Sequence, residues 1–220
     1  MNEHFGCDEN DYRKYDLLEQ FSREFGWHIL VVWMKTNRDR SRLGYLEKEY
    51  QYKKYNPPLF AELKRIEAEI EEEIARIGTK LGEIEVFLKK VSSGFDFVSD
   101  PFTSEERSGY FNAVAQKAGS FDLIFCDPDT GILSGTTRTR KLITFDDLRK
   151  IWKIKKNILV YQSYRRKKGQ SPQKQIEDMV ALCKERLGAP TVIPFESPYM
   201  YLLLITEHER EKFDKIKIIP

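Results

Sequence analysis

Phe121-Asp122-Leu123-Ile124-Phe125-Cys126-Asp127-Pro128-Asp129-Thr130-Gly131 is the stretch that decides the fold class. Its apolar run is broken only by Asp122 and ends abruptly in two carboxylates and a turn. A short apolar run bounded by turn residues reads as a strand buried inside a sheet. Asp127 and Asp129 then arrive together at the strand's C-terminal edge. In open α/β sheets that edge is where ligands bind.

The flanking segments extend the pattern. Ser104 with Glu105 and Glu106 opens a helix to about 117, which Gly119 stops. Thr144 caps a short helix over 145–153, with Asp146 and Asp147 at its positive end. Asn157-Ile158-Leu159-Val160-Tyr161 is a second buried strand. Ser171-Pro172 starts a helix to about 187, and Gly188 follows it. Two β-rich runs, 191–195 and 199–206, flank Glu196-Ser197-Pro198 as a hairpin. Strand–helix alternation closed by a hairpin argues for an α/β fold with a mostly parallel sheet and covering helices.

Upstream, 10–25 reads as a helix stopped by Gly26, and Trp27 to Met34 as a strand buried on both faces. Residues 35–56 read as a long loop with a short helix around 45–52, and 84–90 and 94–98 as short strands. Pro57-Pro58 opens the clearest helix, whose stripe Leu59, Leu63, Ile66, Ile70, Ile74 and Ile77 ends at Gly78. Its other face is acidic. The stripe either lies on the chain's own core, the ordinary outcome, or forms a partner or homo-oligomer surface over 59–77. The expected organisation is one domain over 1–220 with a loop and helical excursion over 35–80.

At 33% charged and 13% aromatic residues, the composition is that of a globular chain rather than a disordered one. No apolar run approaches the roughly 20 residues of a membrane span, and no basic region followed by an apolar stretch opens the chain. Cys7, Cys126 and Cys183 are widely spaced and odd in number, which fits a reduced, cytoplasmic protein and neither a disulfide framework nor a zinc site. The three histidines share no ligand spacing, and no nucleophile elbow or Walker-type loop is present.

Charge is segregated. The net is only +2, yet Arg138 to Lys174 holds 13 Lys/Arg against Asp146 and Asp147, a local +11. Such asymmetry suggests a nucleic acid or another polyanion as partner, or else a solvated basic face. Its densest part, Gln162-Ser163-Tyr164-Arg165-Arg166-Lys167-Lys168, follows a buried strand and so leaves the same sheet edge as Asp127. Arg165, Arg166, Lys167 and Lys168 would neutralise phosphates, Tyr164 would stack on a base and Gln162 would read a base edge. Arg138 and Arg140 would enlarge that surface.

The carboxylates admit several readings. Asp127 and Asp129 would be the catalytic pair; facing one point, they would hold Mg²⁺ or Mn²⁺ for a nuclease or phosphohydrolase. Alternatively they form an Asx-turn, with Gly131 at positive φ. Asp11, Tyr12, Lys14 and Tyr15 form either a lid over the site or, more simply, the start of a surface helix.

The order of elements resembles the C-terminal half of class I S-adenosylmethionine-dependent methyltransferases, a Rossmann-like fold whose sheet ends in an antiparallel hairpin. In amino-methylating members the fourth strand ends Asp/Asn-Pro-Pro-aromatic, and Asp127-Pro128-Asp129-Thr130 stands at that place. Asp11-Tyr12-Arg13-Lys14-Tyr15 with Leu17-Leu18 faintly resembles the leading segment of ribosomal-RNA adenine-N6 methyltransferases. Together with Val32-Trp33-Met34 and Asn56-Pro57-Pro58-Leu59-Phe60, these segments resemble a prokaryotic protein family that implies no particular activity. The methyltransferase resemblance implies S-adenosylmethionine as cofactor and amino-group methylation of a base, with Asp127 accepting from the exocyclic amine. Asp129 and Thr130 replace the second proline and the aromatic, and no glycine-rich turn follows Met34. A binding module that keeps the fold without the chemistry is the third reading.

Overall fold

Six strands form the central sheet of this computed structural model, in the order β2-β1-β3-β6-β8-β7. Residues 9–34, 53–73, 85–86, 88–90, 94–98, 106–133, 141–165 and 169–219 are described. The strands are β1 (Ile29–Trp33), β2 (Phe95–Val98), β3 (Leu123–Asp127), β6 (Asn157–Ser163), β7 (Thr191–Glu196) and β8 (Met200–Thr206). β2, β1, β3 and β6 run parallel, while β8 is antiparallel to both β6 and β7. A separate two-stranded ladder joins β4 (Gly131–Ile132) to β5 (Leu142–Ile143). The expected α/β fold is therefore present: a mostly parallel Rossmann-like sheet closed by an antiparallel hairpin.

Alternation along the strands splits the core in two. Ile29, Val31 and Trp33 of β1 and Leu123 and Phe125 of β3 face α1 (Glu9–Phe25) and α2 (Pro57–Glu73). Leu30, Val32, Ile124 and Cys126 face α3 (Arg107–Ala118), α4 (Phe145–Trp152) and α5 (Pro172–Leu187). Strands covered on both sides must be apolar on both sides, which is why β1 and β3 are buried throughout.

Local signals set the boundaries. Thr144 and Asp147 make a reciprocal capping box at α4, and Ser171 caps α5 with Pro172 in the first turn. Gly188 ends α5 in the left-handed region at φ 64. Asp147 also receives Arg107 Nε at 2.9 Å, and Arg107 bonds the Leu142 carbonyl at 2.8 Å, tying α3 to α4 and β5.

Leu59, Leu63 and Ile66 of α2 lie wholly within the first core, so this end of the stripe serves the chain's own interior. The rest of the stripe, residues 35–52 of the loop expected over 35–56, and Ser104 with Glu105 fall outside the described side chains. One expectation is corrected. Residues 85–86 and 88–90 are helical rather than extended. A strand would put Val86 and Leu88 on one face; instead Val86 is 52% exposed and Leu88 is fully buried.

Candidate functional site

β2 lies on one side of β1 and β3 on the other, so strand order reverses between β1 and β3. Ligands of open α/β sheets bind in the crevice at such a reversal. Trp33 and Asp127, the last residues of the two strands, are register partners there. Strand alternation turns Asp127 toward α1. Lys14 of that helix places its Nζ 3.1 Å from Oδ1 and 3.2 Å from Oδ2 of Asp127, and 2.7 Å from Asp11 Oδ1. The same ammonium lies 4.6 Å from the ring centroid of Tyr161 on β6.

All three charged residues are at least 95% buried. Ions stripped of water need close partners, and here one ammonium serves two carboxylates and the face of an aromatic ring. Tyr12 and Tyr15 of the same segment are fully buried in the core. The segment 11–15 is thus interior, which corrects the expectation of a surface helix start. Near it the Trp33 indole N–H is buried with no hydrogen-bond partner among the described residues.

Asp129 follows in the bend after β3, half-buried. The buried Lys14 ammonium lies within 3.2 Å of both Asp127 oxygens, so a divalent cation there would meet a fixed positive charge. No group of three metal-ligating side chains exists among the described residues. These residues do not fit Mg²⁺ or Mn²⁺.

The corner after β6 emerges next to the corner after β3, since the two strands pair directly. What joins them is Gln162. Its side chain accepts from Ile132 N at 2.7 Å and donates to the carbonyls of Thr130 at 3.3 Å and Ser163 at 2.9 Å. Ser163 Oγ donates to the same Thr130 carbonyl at 2.8 Å, and Arg165 reaches the Ile132 carbonyl at 2.8 Å. Gln162 is 1% exposed. These bonds hold the 130–132 turn in place. Alternation also turns Gln162 to the sheet face opposite Asp127.

Tyr164 is half-buried, its ring 5.2 Å from that of Tyr201. Arg138, Arg140, Arg166, Lys167 and Lys168 lie outside the described residues. Cys126, directly before Asp127, is fully buried, and burial pushes its thiol well above the ordinary range. It is a core side chain rather than a nucleophile.

Two partnerships were missed from the sequence. Asp11 and Lys14 stand three apart on one helix face, which signals an ion pair. Nothing in that spacing names Asp127 as the third member. Gln162 within an apolar strand signals a buried hydrogen-bonding role, with no indication of its partner.

The parallel order β2-β1-β3-β6 followed by an antiparallel β8 inserted before β7 is a Rossmann-like arrangement, the strand order that the methyltransferase resemblance implies. No protein-family model and no curated protein matches the sequence. Among solved structures, the chain is similar to SMU.776, a candidate methyltransferase complexed with SAH. The identity is 12% and the TM-score 0.38, over 90% of this chain and 49% of that one. The chain spans about half the length of that structure, and the fold class rests on strand order.

S-adenosylmethionine reaches the backbone of this fold class through a glycine-rich turn after the first strand. Here Met34-Lys35-Thr36-Asn37 follows β1, and the Trp33 carbonyl accepts from the Tyr110 hydroxyl at 3.2 Å. The end of β1 does not fit that mode of approach.

Proposed function

We propose that this methyltransferase-fold protein binds nucleic acid at the carboxyl edge of its sheet. Asp127 is the central polar group, and the segment after β6 anchors phosphates. The observation that carries this reading is an adjacency. Asp127 ends β3, β6 pairs with β3, and the chain leaving β6 runs into Arg165-Arg166-Lys167-Lys168. The +11 balance over 138–174, with Arg138 and Arg140 included, supports a polyanionic partner. In its stronger form the reading is amino-group methylation of an unpaired base. Asp127 already accepts hydrogen bonds from an ammonium, the acceptor role that reaction requires.

The test is filter retention of labelled single-stranded RNA and DNA across a salt series. Retention at low salt that falls steeply with salt is expected; no retention at low salt overturns the reading. A thermal shift with S-adenosylmethionine, and methyl transfer from its labelled form, separate catalysis from binding.

A reading without catalysis has its own support. Lys14 occupies both oxygens of Asp127, and the glycine turn is missing. On that reading nucleic acid is retained while S-adenosylmethionine produces neither a thermal shift nor methyl transfer.

A further inference from the structure

On the sheet face opposite Asp127, a cavity of about 130 Å³ opens between the end of β6 and the first half of α5. Met179, Leu182 and the ring of Tyr201 supply its apolar lining. Tyr164 packs against Tyr201 with ring centroids 5.2 Å apart, and Tyr201 itself is 2% exposed. These are fixed surfaces.

The polar lining is held just as firmly. Gln175 clamps the backbone of Arg165, accepting from its N–H at 2.8 Å and donating to its carbonyl at 3.0 Å. Gln170 donates to Asp178 Oδ2 at 2.8 Å, and Lys174 approaches Oδ1 at 2.9 Å. Each carboxylate oxygen keeps a further lone pair, so Asp178 remains an acceptor. Arg165 adds a permanent cation to the lining.

Size and chemistry narrow the occupant. Drug-sized ligands need roughly 300 Å³ or more, whereas a cavity of about 150 Å³ takes a benzene ring. One six-membered ring fits. An acceptor carboxylate selects a ring that carries an amino group, and an aromatic wall suits a planar π-system. The neighbouring cation suits the phosphate attached to such a base.

We infer that this cavity is a base-binding site for one unpaired amino-pyrimidine of the cytosine type, separate from the Asp127 crevice. The inference rests on the proposed nucleic-acid binding and adds a site and a base preference to it. Met179, Leu182 and Tyr201 would enclose the ring, Asp178 would accept from its amino group, and Arg165 would meet its phosphate.

The experiment compares three strands of equal length: oligo-dC, oligo-dT and an abasic tetrahydrofuran strand. One stacked and hydrogen-bonded base should make oligo-dC bind about tenfold more tightly than the abasic strand. Oligo-dT should fall between. Asp178→Asn should remove the preference for oligo-dC over oligo-dT. Leu182→Trp, which fills the cavity, should erase the difference between base-bearing and abasic strands. Equal binding of all three strands, or a preference for oligo-dT, overturns the inference and leaves nucleic-acid binding standing. A base preference that survives both substitutions overturns it as well. Failure to retain any strand removes the proposed function and this site together.

Discussion

Lys14 and Asp127 stand 113 positions apart in the chain, yet the ammonium of one touches both carboxylate oxygens of the other at 3.1 and 3.2 Å. That contact pins α1 to the carboxyl edge of the sheet. Lys14→Met keeps most of the stem and removes the charge that the buried Asp11 and Asp127 share. A loss of about 3–5 kcal/mol is expected. Adding Asp127→Asn should recover part of it, because one buried charge is then gone. Urea unfolding of the parent, single and double variants measures both effects. A Lys14→Met midpoint equal to the parent's would mean that the ion pair contributes nothing.

Asp147 performs two tasks with one carboxylate. It accepts from Thr144 N at 2.9 Å to close the cap of α4, and it receives the guanidinium of Arg107 from α3. Both side chains of this pair are mostly buried. Asp147→Ala should cost about 3 kcal/mol, more than an ordinary cap, because Arg107 also loses this mostly buried carboxylate. Arg107→Ala in the Asp147→Ala background should add little. A double-mutant cycle by urea denaturation reads that non-additivity.

Much of this architecture is legible along the chain, for stated reasons. β1 and β3 sit between two helical layers, so they had to be apolar on both faces, and continuous apolar runs reveal them. Thr144 and Ser171 with Pro172 reveal the starts of α4 and α5 because capping is a short-range device. The site is less legible. A charge finds its partner through space and leaves no periodicity, so Asp11 and Lys14 cannot name Asp127. Gln162 looks the same in sequence whether it binds a base or the 130–132 turn. At 84–90 the misreading came from one buried apolar residue, Leu88, which fits either a strand or a helix.

Asp16 and Glu19 make the contact between α1 and α2 sensitive to pH. Asn56 Nδ2 donates to Asp16 at 3.1 Å and to Glu19 at 2.7 Å, and Gln20 donates to Asp16 at 2.7 Å. Burial raises both carboxyl groups above their ordinary values, and Glu19 Oε1 is buried with no partner among the described residues. Raised folded-state values mean that the folded protein holds more protons than the unfolded chain. The resulting stability is present below the ordinary carboxylate range and is lost as pH rises through the raised values. Stability measured upward from about pH 4 should therefore carry a falling component. Glu19→Gln should flatten that component and stabilise the protein at neutral pH. An unchanged pH profile in the variant would exclude these groups as its source.

Gly131 carries the turn between the two corners of the site. Its φ is 122, a conformation that L side chains rarely adopt, and an added Cβ would overlap the Gln162 amide. Gly131→Ala therefore meets backbone strain and a steric conflict together. A destabilisation of about 1–3 kcal/mol is expected. The conflict is with a side chain, whereas the strain belongs to the backbone. Removing the amide in a Gly131→Ala, Gln162→Ala double variant should relieve the first and not the second, but it also frees Ile132 N and the Thr130 carbonyl from their partner. The two single losses should therefore combine to less than their sum, with the double variant still below the parent. Thermal and urea unfolding of the four proteins tests this. Strict additivity would show that Gln162 does not press on the turn at Gly131.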